Sequence, residues 1–250
     1  MIKSKIVNLN TAFSQNASHS APLWTLSPSI EFDGFLKIKN INVPLSSYNI
    51  DTNNNKLKIY EKVTGSTTST YNTVTISAGN YNSSNLTTIL QNSLNSQGSL
   101  YYTVSFSTFS NLLTITQSSG SFSFNSVGNA IYNELGIQWS SLGVTSANSI
   151  TSDNPIDLSG IKNLYITSNI VSYDSGIQIN GNTAFCSIPV NSSTNTIDLY
   201  QDDSNDYIEC NTNNLNYLQL NLYDNYFRPI NQKTPWSISL SLSQQYENLI

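Results

Sequence analysis

Short runs in which apolar and polar residues alternate recur along most of the chain, and each predicts a strand with one buried face. Trp24, Leu26, Ile30 and Phe32 flank Pro28, and Phe35-Leu-Lys-Ile-Lys-Asn-Ile-Asn-Val43 largely alternates up to Pro44. A turn-rich break follows at Asp51-Thr-Asn-Asn-Asn55, and beyond it the organisation changes. Leu57–Tyr60 and Thr73–Ile76 predict two short strands. Leu86, Ile89, Leu90 and Leu94 then fall at i, i+3, i+4 and i+8, which predicts a helix capped by Ser84 and ended by Gly98. Tyr102–Ser107 and Leu112–Thr116 read as a hairpin turning at Ser110-Asn111. Ser121–Phe124 adds a strand, and Ala130–Leu135 reads as a short helix stopped by Gly136.

Strands return after that block: Lys162–Ile170, Gly176–Ile179, Ala184–Pro189, Thr196–Leu199 and Tyr217–Tyr223. The closing run Pro235-Trp-Ser-Ile-Ser-Leu-Ser-Leu242 sets Trp236, Ile238, Leu240 and Leu242 on one face. Many short strands with few helices indicate a mainly β protein, a sandwich or jelly roll. The expected organisation is a polar N-terminal arm over 1–20, a β domain from 21–55 and 150–250, and an inserted α+β domain over 56–149.

Composition narrows the chemistry. The 250 residues include one His and two Cys, and only 10% are charged, whereas Tyr alone numbers 15. Proton transfer and metal binding near neutral pH usually draw on His, Cys or clustered carboxylates, so the supply is thin and no enzyme is expected. About one residue in seven is Asn, from AT-rich coding drift or from turns that use its tolerance of positive φ. The apolar fraction is 38%, but low charge argues against disorder and the patterned positions supply a core. A net charge of −5 leaves no electrostatic footprint for nucleic acid. Lys3 and Lys5 make a small basic cluster in the arm, read as a solvated tail or as an inward-facing arm near a genome. Met1–Gln15 has no apolar leader segment, and no run is long enough for a membrane span.

Each candidate site meets a plainer reading. His19 lies between Ser18 and Ser20 and is expected to be a frayed surface residue, because a catalytic histidine needs an orienting partner. Asp202-Asp-Ser-Asn-Asp206 offers oxygen ligands but lacks the glycine and distal glutamate of a calcium loop, so a solvated loop is expected. Cys186 and Cys210 are expected as buried thiols. Sequons at Asn16, Asn82, Asn85 and Asn191 are expected from composition alone. No catalytic, cofactor-binding or metal-binding residue is assigned. Tyr71, Tyr81, Tyr101, Tyr102, Phe109, Tyr132 and Trp139 crowd the insertion; core packing accounts for most of them, and the excess hints at an interface or a sugar-stacking face.

Asn40-Ile-Asn-Val-Pro-Leu-Ser-Ser-Tyr-Asn-Ile50, Val74-Thr-Ile-Ser-Ala-Gly-Asn-Tyr-Asn-Ser-Ser84 and the helix Leu86–Leu94 follow one another in order. Tyr102–Phe106, Leu112–Thr116, Asn133–Ile137, Asp157–Ile170 and Trp236–Leu242 continue the succession. Together, over roughly residues 22–242, they resemble the penton (minor capsid) proteins of virophages and polinton-like viruses. The resemblance implies a jelly-roll capsomer with an inserted domain, assembling as a homopentamer at icosahedral fivefold vertices beside major capsid protein capsomers. It places the chain in the virion, made in the infected host cell, with the arm ordering on a neighbouring capsomer. The alternative is a virion fibre or a receptor- or glycan-binding β module using Trp139 and Tyr132.

Overall fold

A computed structural model describes residues 3–143, 147–179, 181–190, 197–201 and 207–244. Backbone contacts divide the chain into two units, Met1–Ser47 with Ile161–Ile250, and Tyr48–Gly160. The second unit is therefore inserted within the first.

The first unit is a mainly antiparallel β-sandwich. Its strands before the insertion are β1 (Lys3–Asn10), β2 (Leu23–Glu31) and β3 (Phe35–Pro44). The insertion carries six strands among the described residues, β4 (Lys56–Val63), β5 (Thr70–Thr75), β6 (Tyr102–Phe106), β7 (Leu113–Gln117), β8 (Gly120–Asn125) and β9 (Ser149–Thr151). The first unit then resumes with β10 (Asn163–Ser168), β11 (Ile177–Ile179), β12 (Asn182–Pro189), β13 (Ile197–Gln201), β14 (Ile208–Glu209), β15 (Asn214–Tyr223) and β16 (Ser237–Gln244). One sheet runs β1-β16-β3-β13, with β14 also on β3, and the other runs β11-β12-β10-β15-β2. Take the eight principal strands in chain order: β1, β2, β3, β10, β12, β13, β15 and β16. The first pairs with the last, the second with the seventh, the third with the sixth, and the fourth with the fifth. That nesting is a ribbon rolled on itself, which is the jelly-roll order.

Packing follows from alternation. Leu36, Ile38, Ile41 and Val43 of β3, with Ile238, Leu240 and Leu242 of β16, meet Leu164, Ile166, Leu218, Leu220 and Leu222 from the other sheet. The spacing from Ile38 to Ile41 breaks period two, and a bulge at this point of the β3–β16 ladder restores the inward phase. Each fully buried Leu or Ile here contributes roughly 1.5–3 kcal/mol of transfer free energy.

The N-terminal arm expected over 1–20 is corrected by the structure. Lys3–Asn10 forms the edge strand β1 on β16, with Val7 and Leu9 buried. The following loop is tied down: Thr11 exchanges backbone bonds with Trp236 through its N–H and hydroxyl, both at 2.9 Å, and Ser20 carbonyl accepts from Leu222 N–H at 3.1 Å. The local sequence does not announce β1, because Ile6 and Val7 stand side by side and its partner lies at the far end of the chain.

The inserted unit has two three-stranded sheets and one long helix. In it, β4 pairs with both β5 and β8, while β7 pairs with β6 and β9. The helix α1 (Ser83–Gln97) buries Leu86, Leu90 and Leu94. Its cap is Asn82, whose Oδ1 accepts from Asn85 N–H at 2.9 Å; Ser84 lies inside the first turn instead. The helix expected at Ala130–Leu135 is only a single turn, in which Leu135 N–H reaches Ile131 carbonyl at 3.0 Å. Gly136 ends it in the left-handed region, where a β-carbon would collide with the Asn154 carbonyl.

Candidate functional site

Three titratable residues, His19, Asp153 and Glu61, serve the fold. His19 is half-buried, not frayed: Nδ1 lies 3.1 Å from Thr11 Oγ1, and its carbonyl accepts from Trp236 Nε1 at 2.6 Å. Thr11 is wholly buried, so the pair offers no accessible nucleophile. Asp153 accepts from Gln138 N–H and Ser141 hydroxyl at 2.8 and 2.9 Å, fastening a turn. Among the described residues no His, Cys, Asp and Glu side chains gather as a metal-binding group. Asp202–Asp206 and Asn191 lie outside the described residues.

Glu61, on the inward phase of Leu57 and Ile59, is 1% exposed in the inserted unit. Its Oε1 accepts from Leu100 N–H at 3.1 Å and Tyr102 hydroxyl at 2.7 Å. Ser99 N–H bonds both carboxylate oxygens at 3.0 Å, and Asn72 Nδ2 donates to Oε2. Burial, reinforced by this carboxylate, drives the Tyr102 phenol far above its ordinary value. The group ties the segment after α1 to the sheet, and its carboxylate is enclosed.

Cys186 and Cys210 are buried thiols with no disulfide between them. Burial first, then the charge of Glu209, pushes the Cys210 thiol up to about 12, which keeps it protonated and inert.

What is left for recognition is surface. In the inserted unit Tyr102 and Tyr132 belong to the core, while Tyr71, Tyr101, Phe109 and Trp139 are exposed. Tyr132 is 0% exposed, which removes it as a ligand-contacting residue. Its ring instead supports Trp139 edge-on at 5.7 Å, and its hydroxyl bonds the backbone of Lys58 and Asn125. Phe109, at the tip of the β6–β7 hairpin, is 99% exposed.

In the sandwich unit a second aromatic group is held by the loop Asp224–Pro229. Asp224 Oδ1 accepts from Tyr226 and Arg228 N–H at 2.8 and 2.9 Å, and Oδ2 pairs with Arg228 Nε at 2.8 Å. The Arg228 guanidinium lies 4.7 Å from the centre of the Tyr226 ring. Phe227 takes φ 58°, unusual for a bulky residue, and its ring meets Tyr165 at 5.3 Å. Sequence periodicity does not reveal this loop; the acid four residues before an arginine was its one visible signal.

No protein-family model and no curated protein matches the chain. Among solved structures it is similar to the selenomethionine-labelled mavirus penton protein, at 15% identity and a TM-score of 0.47, over 96% of this chain and 99% of that one. No described helix is long and apolar enough to cross a membrane.

Proposed function

We propose that this chain is a structural subunit of a virus capsid, the penton capsomer, five copies of which close each icosahedral vertex beside major capsid protein capsomers. The observation that carries this reading is the rolled eight-strand order interrupted between its third and fourth strands by a compact second unit. That is the arrangement implied by the ordered succession of motifs from Asn40 to Leu242. Low charge supports it, since five identical neighbours with neutral flanks avoid like-charge repulsion. A ring of five needs a heterologous contact whose rotation closes, and a stable one buries on the order of 1,600 Å².

Light scattering on the purified protein at several concentrations, followed by negative-stain imaging, tests the reading. A mass five times the 27.6 kDa protomer with ring-shaped particles is expected. A trimer at every concentration would overturn it in favour of a virion fibre. The exposed Tyr71, Tyr101, Phe109 and Trp139 favour, as a second reading, a receptor- or glycan-binding role for the inserted unit.

A further inference from the structure

An open surface groove of about 390 Å³ lies in the inserted unit where α1 begins. Its size falls in the range of small-ligand sites, roughly 300–1,000 Å³. Tyr81, Phe106 and Ile156 give it half-buried apolar walls, and Asn82, Ser83 and Asn111 bring polar groups to the same space. No charged side chain lines it.

The walls are joined before any ligand arrives. The Asn49 side chain donates to the Tyr81 and Leu158 carbonyls at 2.7 and 3.0 Å and accepts from Tyr81 N–H at 2.9 Å. Ile156 N–H donates to the Asn111 carbonyl at 3.0 Å, which ties the β6–β7 hairpin to the opposite wall. The Tyr81 hydroxyl is fixed on the Ser77 carbonyl at 2.7 Å, leaving the ring as a set surface. A preformed site loses little ordering entropy on binding.

The chemistry of the lining selects the occupant. Asn82 uses Oδ1 for the helix cap, so its NH₂ remains a donor, and the exposed Asn111 amide supplies both a donor and an acceptor. Neutral donors and acceptors beside an aromatic ring suit a polyhydroxylated ring with apolar C–H faces. An anion would need a cation, and none lines the space. An extended peptide would need a strand edge, and on β6 the outer groups of Tyr102 and the outer N–H of Val104 are already taken. Tyr102 N–H and carbonyl bond the Asn95 side chain at 2.6 and 3.0 Å, and Val104 N–H bonds Gln91 Oε1 at 3.0 Å.

We infer that this groove is a binding site for a neutral saccharide, which gives the glycan-binding reading a place on the inserted unit. The site contains neither Trp139 nor Tyr132, the pair the sequence singles out.

The test uses the full chain on an array of neutral and sialylated glycans, with titration of the strongest neutral binder by calorimetry. Two variants keep the backbone roles intact: Asn82→Asp retains a capping oxygen, and Asn111→Gly retains the left-handed turn at φ 58°. Each is expected to weaken neutral-glycan binding by about tenfold, the loss of one or two neutral hydrogen bonds, with unchanged thermal unfolding. Absence of any glycan binding, binding confined to sialylated glycans, or affinity unchanged in both variants would overturn the inference. Light scattering on the same preparations separates the outcomes: a fivefold mass without glycan binding removes this site and leaves the capsomer reading in place.

Discussion

The two units solve the same problem, burying a β-rich core in a chain poor in charge, by opposite means. The sandwich joins strands from opposite ends of the chain, so β1 pairs with β16 in register from Lys3↔Gln244 to Asn10↔Ser237. Its apolar core runs from Val7 to Leu242, and the polar side chains buried among its strands are mostly hydroxyls such as Thr11, Thr167 and Thr183. The inserted unit pairs sequence neighbours, β4 with β5 and β6 with β7, and closes its gaps with buried polar groups such as Glu61, Asn54 and Asn55. Local pairing costs little loop-closure entropy, whereas the rolled ribbon must bring distant segments together first. The difference predicts that the inserted unit holds its structure when the sandwich does not.

The largest expected effect breaks the sandwich alone. Trp236 is fully buried and bonded to Thr11 and His19, and Trp236→Ala is expected to cost about 3–5 kcal/mol. Hydrogen exchange should then show lost protection in β1, β3 and β16 while β4–β8 keep theirs. Equal loss in both units would show that they fold as one. The reciprocal change is Glu61→Gln. Both carboxylate oxygens accept from Ser99 N–H, so either orientation of the new amide sets an NH₂ against a donor. A loss of about 1–3 kcal/mol confined to the inserted unit is expected in urea unfolding.

Alkaline pH sharpens the contrast. The Cys210 thiol is raised from its ordinary 9.0 to about 12 in the folded sandwich. The unfolded chain therefore loses this proton first, and the stability it represents is full below pH 9 and falls as pH rises towards 12. In the inserted unit the raised groups are the buried phenols Tyr102 and Tyr132, whose ordinary value is 10.0. Their loss begins a unit higher. Exchange protection measured from pH 8.5 upward should fade in the sandwich before the insertion, and Cys210→Ala should abolish that order.

Much of this was legible in the sequence. The strands from Leu23 to Val43, the α1 stripe and the closing run from Trp236 lie where alternation places them. What escaped is non-local or polar. β1 has only Val7 and Leu9 as inward residues and depends on a partner more than 200 positions away. Asn82 rather than Ser84 caps α1 because both residue types suit the position and only backbone geometry decides. Asn82→Ala should cost about 1 kcal/mol and Asn82→Asp close to nothing, by thermal melting. The groove beside α1 was invisible because Tyr81, Phe106 and Ile156 converge from three segments.

The smallest effect on stability carries the sharpest statement about assembly. Phe109 stands at a hairpin tip, whereas the loop fixed by Asp224 carries two aromatic contacts, Arg228 on Tyr226 and Phe227 on Tyr165 of β10. The ring proposed above needs clustered desolvated anchors, which the loop aromatics supply and Phe109 does not. Phe227→Asn separates assembly from folding, because Asn tolerates φ 58° and the strain it relieves offsets the lost ring contact. Melting should shift by no more than the equivalent of about 0.5 kcal/mol, as for most surface changes. Light scattering should nevertheless show a lower mass for Phe227→Asn and an unchanged one for Phe109→Ser. The reverse pattern would move the seam to the insertion, and unchanged mass in both would remove the aromatic surfaces from assembly altogether.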